Sequence, residues 1–190
     1  MKLGLFGGSF DPVHLGHLLV AQAAIEELQL DRLFFIPACQ SAFKRVNQMA
    51  PAAERLRLLR LALAGKTNCE VDDSEIHRGG ISYTIDSVRA YTRKHSGATL
   101  YYLIGADNVA KLGEWKESAE LARLAEFVAI PRPGEPAVTF ASPCRGHTLT
   151  GHPFGVSSSQ IRARVKAGLP IDWLVPATVA EAIRNNGLYV

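Results

Sequence analysis

Gly7-Gly8-Ser9-Phe10-Asp11-Pro12-Val13-His14-Leu15-Gly16-His17 decides how the rest of the chain is read. It follows Leu3-Gly4-Leu5-Phe6, a short apolar run that reads as a buried strand, and it precedes an apolar-periodic segment over residues 18–28 that predicts a helix. A strand, a glycine turn and a helix start make an anion site, because unpaired backbone N–H groups and the positive end of the helix dipole converge there. His14 and His17 are three residues apart, so in a first helical turn they share a face and can meet one ligand together. The stretch reads as a phosphate site with two imidazole donors.

Working outward, Arg32-Leu33-Phe34-Phe35-Ile36-Pro37 predicts a second buried strand, which completes a β-α-β unit and implies a parallel sheet with a right-handed crossover. The loop over residues 38–50 carries Lys44 and Arg45 where strands end, the side on which open α/β sheets bind ligands. Pro51 opens a helix with an apolar face through Ala64. Gly65-Lys66-Thr67 has the tail of a phosphate-loop signature, but Arg60 stands where the earlier glycine is needed, so a helix-ending glycine is expected instead. Residues 69–71 read as a short strand and residues 72–80 as a polar loop. Ser82 or Thr84 is expected to cap a helix over residues 85–94.

Thr99-Leu100-Tyr101-Tyr102-Leu103-Ile104 is the clearest later strand and ends in Gly105-Ala106-Asp107. Asp107 suits ribose hydroxyls at a strand's carboxyl end and equally suits the N-cap of a helix over residues 108–112. Trp115 is either core or a platform for a flat ring. Residues 126–130 predict a further strand, and residues 135–154 read as loops with at most one more. Val156-Ser157-Ser158-Ser159-Gln160-Ile161-Arg162 is a second helix start dressed with hydroxyls. Ser158 and Arg162, four apart, share a face that can hold a polyphosphate, or form an ordinary cap with a solvated arginine. A last helix is expected over residues 177–185.

The bulk properties narrow the class. The chain has 190 residues, 47% of them hydrophobic, and a net charge of +3 with no block of basic residues, so one domain with one substantial core and no nucleic-acid surface is expected. No apolar run approaches the ~20 residues that span a bilayer, and no signal peptide is evident, so a cytoplasmic protein with no membrane contact is expected. The three cysteines, Cys39, Cys69 and Cys144, are scattered and form neither a disulfide framework nor a metal knuckle. His77, His95, His147 and His152 have no partner pattern and read as surface or loop residues. No activated nucleophile is evident, which leaves transfer chemistry that needs positioning and charge neutralisation.

The opening stretch, paired with residues 156–162 in the same order at the other end of the chain, resembles the double signature of the HxGH nucleotidyltransferase superfamily. Ser82-Tyr83-Thr84, Ile104-Gly105-Ala106-Asp107, Trp115, Arg132-Pro133-Gly134 and the tail Asn186-Gly187-Leu188-Tyr189 extend the resemblance to the bacterial nicotinate-nucleotide adenylyltransferases. The resemblance implies a Rossmann-like, doubly wound α/β sheet in a single domain with a C-terminal helical portion. It implies transfer of AMP from ATP, with Mg²⁺, to nicotinate mononucleotide, and no metal site made by the protein.

By the same resemblance His14, His17 and Arg162 carry the catalysis, and Gly7, Gly8, Ser9, Phe10, Gly105, Asp107, Ser157 and Ser158 bind ATP. Lys44, Tyr83, Thr84, Trp115 and Arg132 bind the acceptor. Where the family commonly has Pro-Pro-His-Lys, this chain has Ser41-Ala42-Phe43-Lys44, keeping the lysine and losing the histidine. Ser9 and Ser159 stand where threonines are usual. The alternatives are phosphopantetheine or the amidated mononucleotide as acceptor, a hydrolase with metal on Asp11, His14 and His17, and a nucleotide sensor. A homo-oligomer is compatible with the sequence.

Overall fold

The computed structural model describes residues 1–41, 49–131, 134, 138–152 and 154–190. In chain order the elements are β1 (Lys2–Gly8), α1 (Leu15–Leu28), β2 (Arg32–Pro37), β3 (Gln40–Ser41), α2 (Ala52–Leu63), β4 (Cys69–Val71), α3 (Ser74–Arg78), β5 (Ile81–Ser82), α4 (Thr84–Lys94), β6 (Thr99–Gly105), a 3-10 helix (Ala106–Glu114), α5 (Ser118–Leu124), β7 (Glu126–Ile130), β8 (Gly146–Thr148), α6 (Ser158–Lys166) and α7 (Ala177–Asn185). Six strands form one sheet in the order β4-β2-β1-β6-β7-β8, and each neighbouring pair is parallel. β3 and β5 make a separate two-stranded parallel ribbon.

The alternation of side chains along the strands explains why the sheet is covered on both faces. Phe6, Leu33, Phe35, Leu103 and Val128 enter a core on one face with residues of α1, α2, α6 and α7. Leu3, Leu5, Phe34, Ile36, Tyr102, Ile104 and Phe127 enter the other, against α4, α5 and the 3-10 helix. β1 is central, and the strand order reverses between β1 and β6. Their carboxyl ends diverge there and leave the crevice in which open α/β sheets bind ligands. The doubly wound α/β architecture expected from the sequence is the one observed.

Several local expectations are corrected. The segment over residues 72–80, read as a polar loop, holds the short helix α3, begun where Asp72 Oδ1 accepts a hydrogen bond from the Ser74 N–H at 2.9 Å. Residues 118–124 form α5, which carries too short a pattern to stand out. The residue capping α4 is Tyr83, with no side-chain cap bond, in place of Ser82 or Thr84. Asp107 lies in the first turn of the 3-10 helix, and Gly105 is its cap. All three cysteines are free, with Cys144 buried and the other two half-buried. Among the described residues no helix is long and apolar enough to cross a membrane.

Candidate active site

A cavity of about 820 Å³ occupies the crevice between β1 and β6. Its walls include the carboxyl ends of both strands at Gly7, Gly8 and Gly105, and the starts of α1 and α6. Two helix N-termini therefore converge on one space, and each brings unsatisfied backbone N–H groups and the positive end of a dipole. Such a space favours an anion with several charged oxygens.

At the start of α1, His14 is the cap residue and His17 is the third helical residue. Their rings stack with centroids 3.7 Å apart and planes 30° from parallel. The His14 backbone N–H donates to His17 Nδ1 at 3.1 Å. An accepting Nδ1 carries no proton, so neutral His17 holds its ring proton on Nε2, where it is a donor. His14 is only 7% exposed, and burial pushes its imidazole down to about 4, so it is neutral near pH 7. Its buried Nδ1 has no hydrogen-bond partner among the described residues. Gly16 makes this packing feasible, because a Cβ there would lie 3.0 Å from His14 Nδ1 and press on the ring. A Cβ at Gly7 would collide with the Tyr102 hydroxyl. Two glycines of the motif are thus dictated by close approach.

The second helix start is tied to the first motif. Ser157 caps α6, accepting from the Gln160 N–H at 3.3 Å while its own N–H donates to Gln160 Oε1 at 2.9 Å. The Ser158 hydroxyl donates to the Pro12 carbonyl at 2.9 Å, and Arg162 Nη1 donates to the Asp11 carbonyl at 2.7 Å. Residues 146 and 151 positions apart in the chain are thereby held together at one turn.

Asp11 lies beneath this turn, 2% exposed. Its Oδ1 accepts from the Ala50 N–H at 3.1 Å and from the Tyr189 hydroxyl at 2.9 Å, and Oδ2 is 3.6 Å from Arg162 Nη1. Arg55, 1% exposed, donates to four carbonyls, those of Ser9, Ala38, Cys39 and Ala50. It braces the loop after β1 against the loop after β2. Burial lowers its affinity for the proton, and the nearby Asp11 restores part of it. With these commitments Asp11 serves as a structural acid. Among the described residues no group of three or more His, Cys, Asp or Glu is placed to hold a metal.

The far end of the cavity is lined by Ser82, Thr84, Tyr102, Trp115 and Glu75. Trp115 stands edge-on to both Tyr102 and Phe127, with centroids 6.3 Å apart in each case. Thr84 Oγ1 donates to the Tyr102 hydroxyl at 3.3 Å. A side pocket of about 290 Å³ continues past Trp115 to Tyr83 and Lys116, whose ammonium sits 4.4 Å from the Tyr83 ring centroid.

The cavity thus brings together Gly7, Gly8, Ser9, His14, His17, Thr84, Gly105, Asp107, Trp115, Ser157 and Ser158. Arg162 is not among the lining residues, and its Nη1 holds the Asp11 carbonyl at 2.7 Å. Tyr83 faces the side pocket. Phe10 is buried under His17, with ring centroids 5.0 Å apart, so its side chain is packing and only its backbone, at φ 45°, shapes the loop. Lys44 and Arg132 lie outside the described residues, as does Phe43. Sequence reading passed over Glu75, Phe154 and Gln160, which also line the cavity, and read His152, another lining residue, as a surface or loop histidine without a partner pattern. It passed over Arg55 as well, because an arginine within an amphipathic helix carries no local sign that it will be buried.

Comparison with known proteins places these features in context. The cytidylyltransferase-like family pattern matches residues 5–164. A protein of Opitutus terrae named "Probable nicotinate-nucleotide adenylyltransferase" is 41% identical over 191 residues, covering 100% of this chain and 98% of that protein. A Geobacillus kaustophilus protein of the same name is 39% identical, covering 99% of this chain and 86% of its own length. In fold, the chain is similar to the Plasmodium falciparum nicotinic acid mononucleotide adenylyltransferase complexed with NaAD, with a TM-score of 0.81 at 18% identity over 99% of this chain and 97% of that one.

Proposed function

The chain belongs to the cytidylyltransferase-like family, in its nicotinate-nucleotide adenylyltransferase branch, and from that premise we propose how its residues divide the transfer of AMP from ATP to nicotinate mononucleotide. The reaction gives deamido-NAD and pyrophosphate, a step of NAD biosynthesis, and on this reading it takes place in the cytoplasm. The observation that carries the division of labour is the stacked His14–His17 pair at one helix start, facing a second helix start that is stitched to the same turn.

An oxygen of the mononucleotide phosphate attacks the α-phosphorus of ATP in line. The new P–O bond forms as the bond to the β-phosphate oxygen breaks, and the electron pair leaves with pyrophosphate. The attacking phosphate is already ionised, so no base is needed, and the protein's task is to position charge and neutralise it. His17 donates from Nε2 to the phosphate oxygens as charge builds in the transition state. His14, neutral and poorly solvated, offers a second donor whose proton affinity rises once a polyphosphate is beside it. The N–H groups at the starts of α1 and α6, with Ser9, Ser157 and Ser158, line the triphosphate. Arg162, anchored by one nitrogen, has further N–H donors for the departing pyrophosphate.

Gly105 and Asp107 meet the adenosine, Tyr83, Thr84 and Trp115 meet the pyridine ring, and Lys44 and Arg132 meet the acceptor's charged groups. Mg²⁺ would come with ATP as part of the substrate and would supply neutralising charge to the phosphates, since among the described residues no group of three or more His, Cys, Asp or Glu is placed to hold it.

The test is pyrophosphate release from MgATP with nicotinate mononucleotide, its amide and phosphopantetheine in parallel. Nicotinate mononucleotide is expected to give the highest kcat/KM. His17→Ala is expected to lower kcat on the order of 100-fold or more, the usual size for losing a transition-state donor. Turnover of phosphopantetheine alone, or full activity in the His17→Ala variant, would refute this assignment.

A further inference from the structure

The acceptor end of the cavity contains a buried acid to which the division of labour above gives no part. Glu75 is 4% exposed, sits on the one-turn helix α3, and lines the cavity beside Ser82, Thr84 and Tyr102. Its carboxyl group accepts a hydrogen bond from the Ser87 hydroxyl, within α4, and the Ser82 hydroxyl, on β5, is near enough to oppose its protonation. These two serines flank Tyr83 and Thr84, so one carboxyl group clasps both sides of the turn between β5 and α4. Ser82 Oγ also accepts from the Cys39 N–H at 2.9 Å, which links the clasp to the loop after β2. Tyr83 caps α4 with no side-chain cap bond, and its carbonyl accepts from the Asp86 N–H at 3.1 Å, so the local bonds of the turn are backbone ones.

A buried carboxyl group is unfavourable unless hydrogen-bonded, and burial raises the proton affinity of Glu75 while the two hydroxyls oppose that rise. The core alone would be served as well by a leucine of similar volume. What a carboxyl group adds is acceptor oxygen for the hydroxyl donors around it.

We propose that Glu75 is a positioning residue for the acceptor, its carboxyl group holding Ser82 and Ser87 so that Tyr83 and Thr84 are set to receive the pyridine ring beside Trp115. This rests on the acceptor reading given above. Glu75 touches neither ATP nor the reacting atoms, so its loss acts on one substrate. The adenosine and triphosphate contacts, made by β6, α1 and α6, are independent of it.

Steady-state kinetics of Glu75→Ala, Glu75→Gln and Ser87→Ala, with each substrate varied in turn, test the idea. Glu75→Ala is expected to raise KM for nicotinate mononucleotide on the order of tenfold while KM for ATP stays within about twofold, because one or two hydrogen bonds near 1 kcal/mol each are lost at the acceptor end alone. Glu75→Gln, which keeps the shape and one acceptor oxygen, is expected to recover most of that loss. Ser87→Ala, a mild change that keeps the protein folded even if Glu75→Ala does not, is expected to raise the same KM severalfold. An equal rise in both KM values in Glu75→Ala, or an unchanged acceptor KM in Ser87→Ala, would overturn the role of Glu75. Wild-type enzyme inactive on nicotinate mononucleotide would instead overturn the acceptor reading, so the two failures are told apart by the wild-type measurement.

Discussion

His14 shows at the scale of one residue how burial and chemistry are coupled. Its imidazole holds a proton only below about 4 in the folded state, against an ordinary value of 6.5. As pH falls through the window between those values the unfolded chain takes up a proton that the folded chain refuses. The stability contributed by the neutral ring is therefore complete above about pH 6.5 and is lost progressively down to about pH 4. The loss between pH 7.5 and 4.5 is expected to be on the order of 2 to 3 kcal/mol from this residue. Urea unfolding at the two pH values checks it, and His14→Asn should remove most of the difference between them. The same ring, kept neutral and partly unsatisfied, is what a polyphosphate would find on arrival. Substrate protection against acid unfolding follows from the same linkage.

Helix α6 is the element that turns two remote motifs into one site. Its cap, Ser157, bonds within the helix, whereas its first residue, Ser158, bonds outside it, to the Pro12 carbonyl. The two serines are adjacent in sequence and have different tasks. Ser157→Ala would shorten or fray the helix, while Ser158→Ala leaves the cap intact and releases the tie. Ser158→Ala is expected to raise KM for ATP about fivefold, the equivalent of one hydrogen bond of about 1 kcal/mol, with melting temperature nearly unchanged. Isothermal titration with a non-hydrolysable ATP analogue, beside thermal melting, separates the two effects. A drop in melting temperature without loss of ATP affinity would mean that the bond serves only the fold.

At the scale of the whole molecule, Tyr189 reaches back to the turn between β1 and α1. The Tyr189 hydroxyl and the Ala50 N–H meet on Asp11 Oδ1, Arg162 holds the Asp11 carbonyl, and Arg55 clamps the neighbouring loops. The start, the middle and the end of the chain are thus joined at one buried carboxylate. Tyr189→Phe removes one donor from it and is expected to cost about 1 to 2 kcal/mol in urea unfolding. Arg55→Leu strips four carbonyls of their donor and removes a buried positive charge near Asp11, which keeps Arg162 at 3.6 Å, so a loss of about 3 to 5 kcal/mol is expected, read in the same assay. Burial raises the Tyr189 hydroxyl well above its ordinary pKa, and Asp11 adds to the shift, so the tyrosine remains a donor throughout the neutral range.

The sequence by itself determined the architecture and the location of the site. Strands β1, β2, β6 and β7 are apolar runs buried on both faces, and such runs are legible because helices cover both sides of the sheet and successive side chains on either face must be apolar. The glycine turn with its two histidines, and the serines before α6, are legible because helix starts need caps and leave N–H groups unsatisfied wherever they occur.

Tertiary structure alone decided what those groups do. That Arg55 and Glu75 are buried, that Asp11 is a hub, that Phe10 is packing under His17, and that Ser158 ties two motifs together all depend on how the chain is packed, with partners as far as 178 positions away. A polar side chain in a short helix or an amphipathic face looks the same in sequence whether its partner is water or a carbonyl. Only the fold, by removing the water, makes the difference.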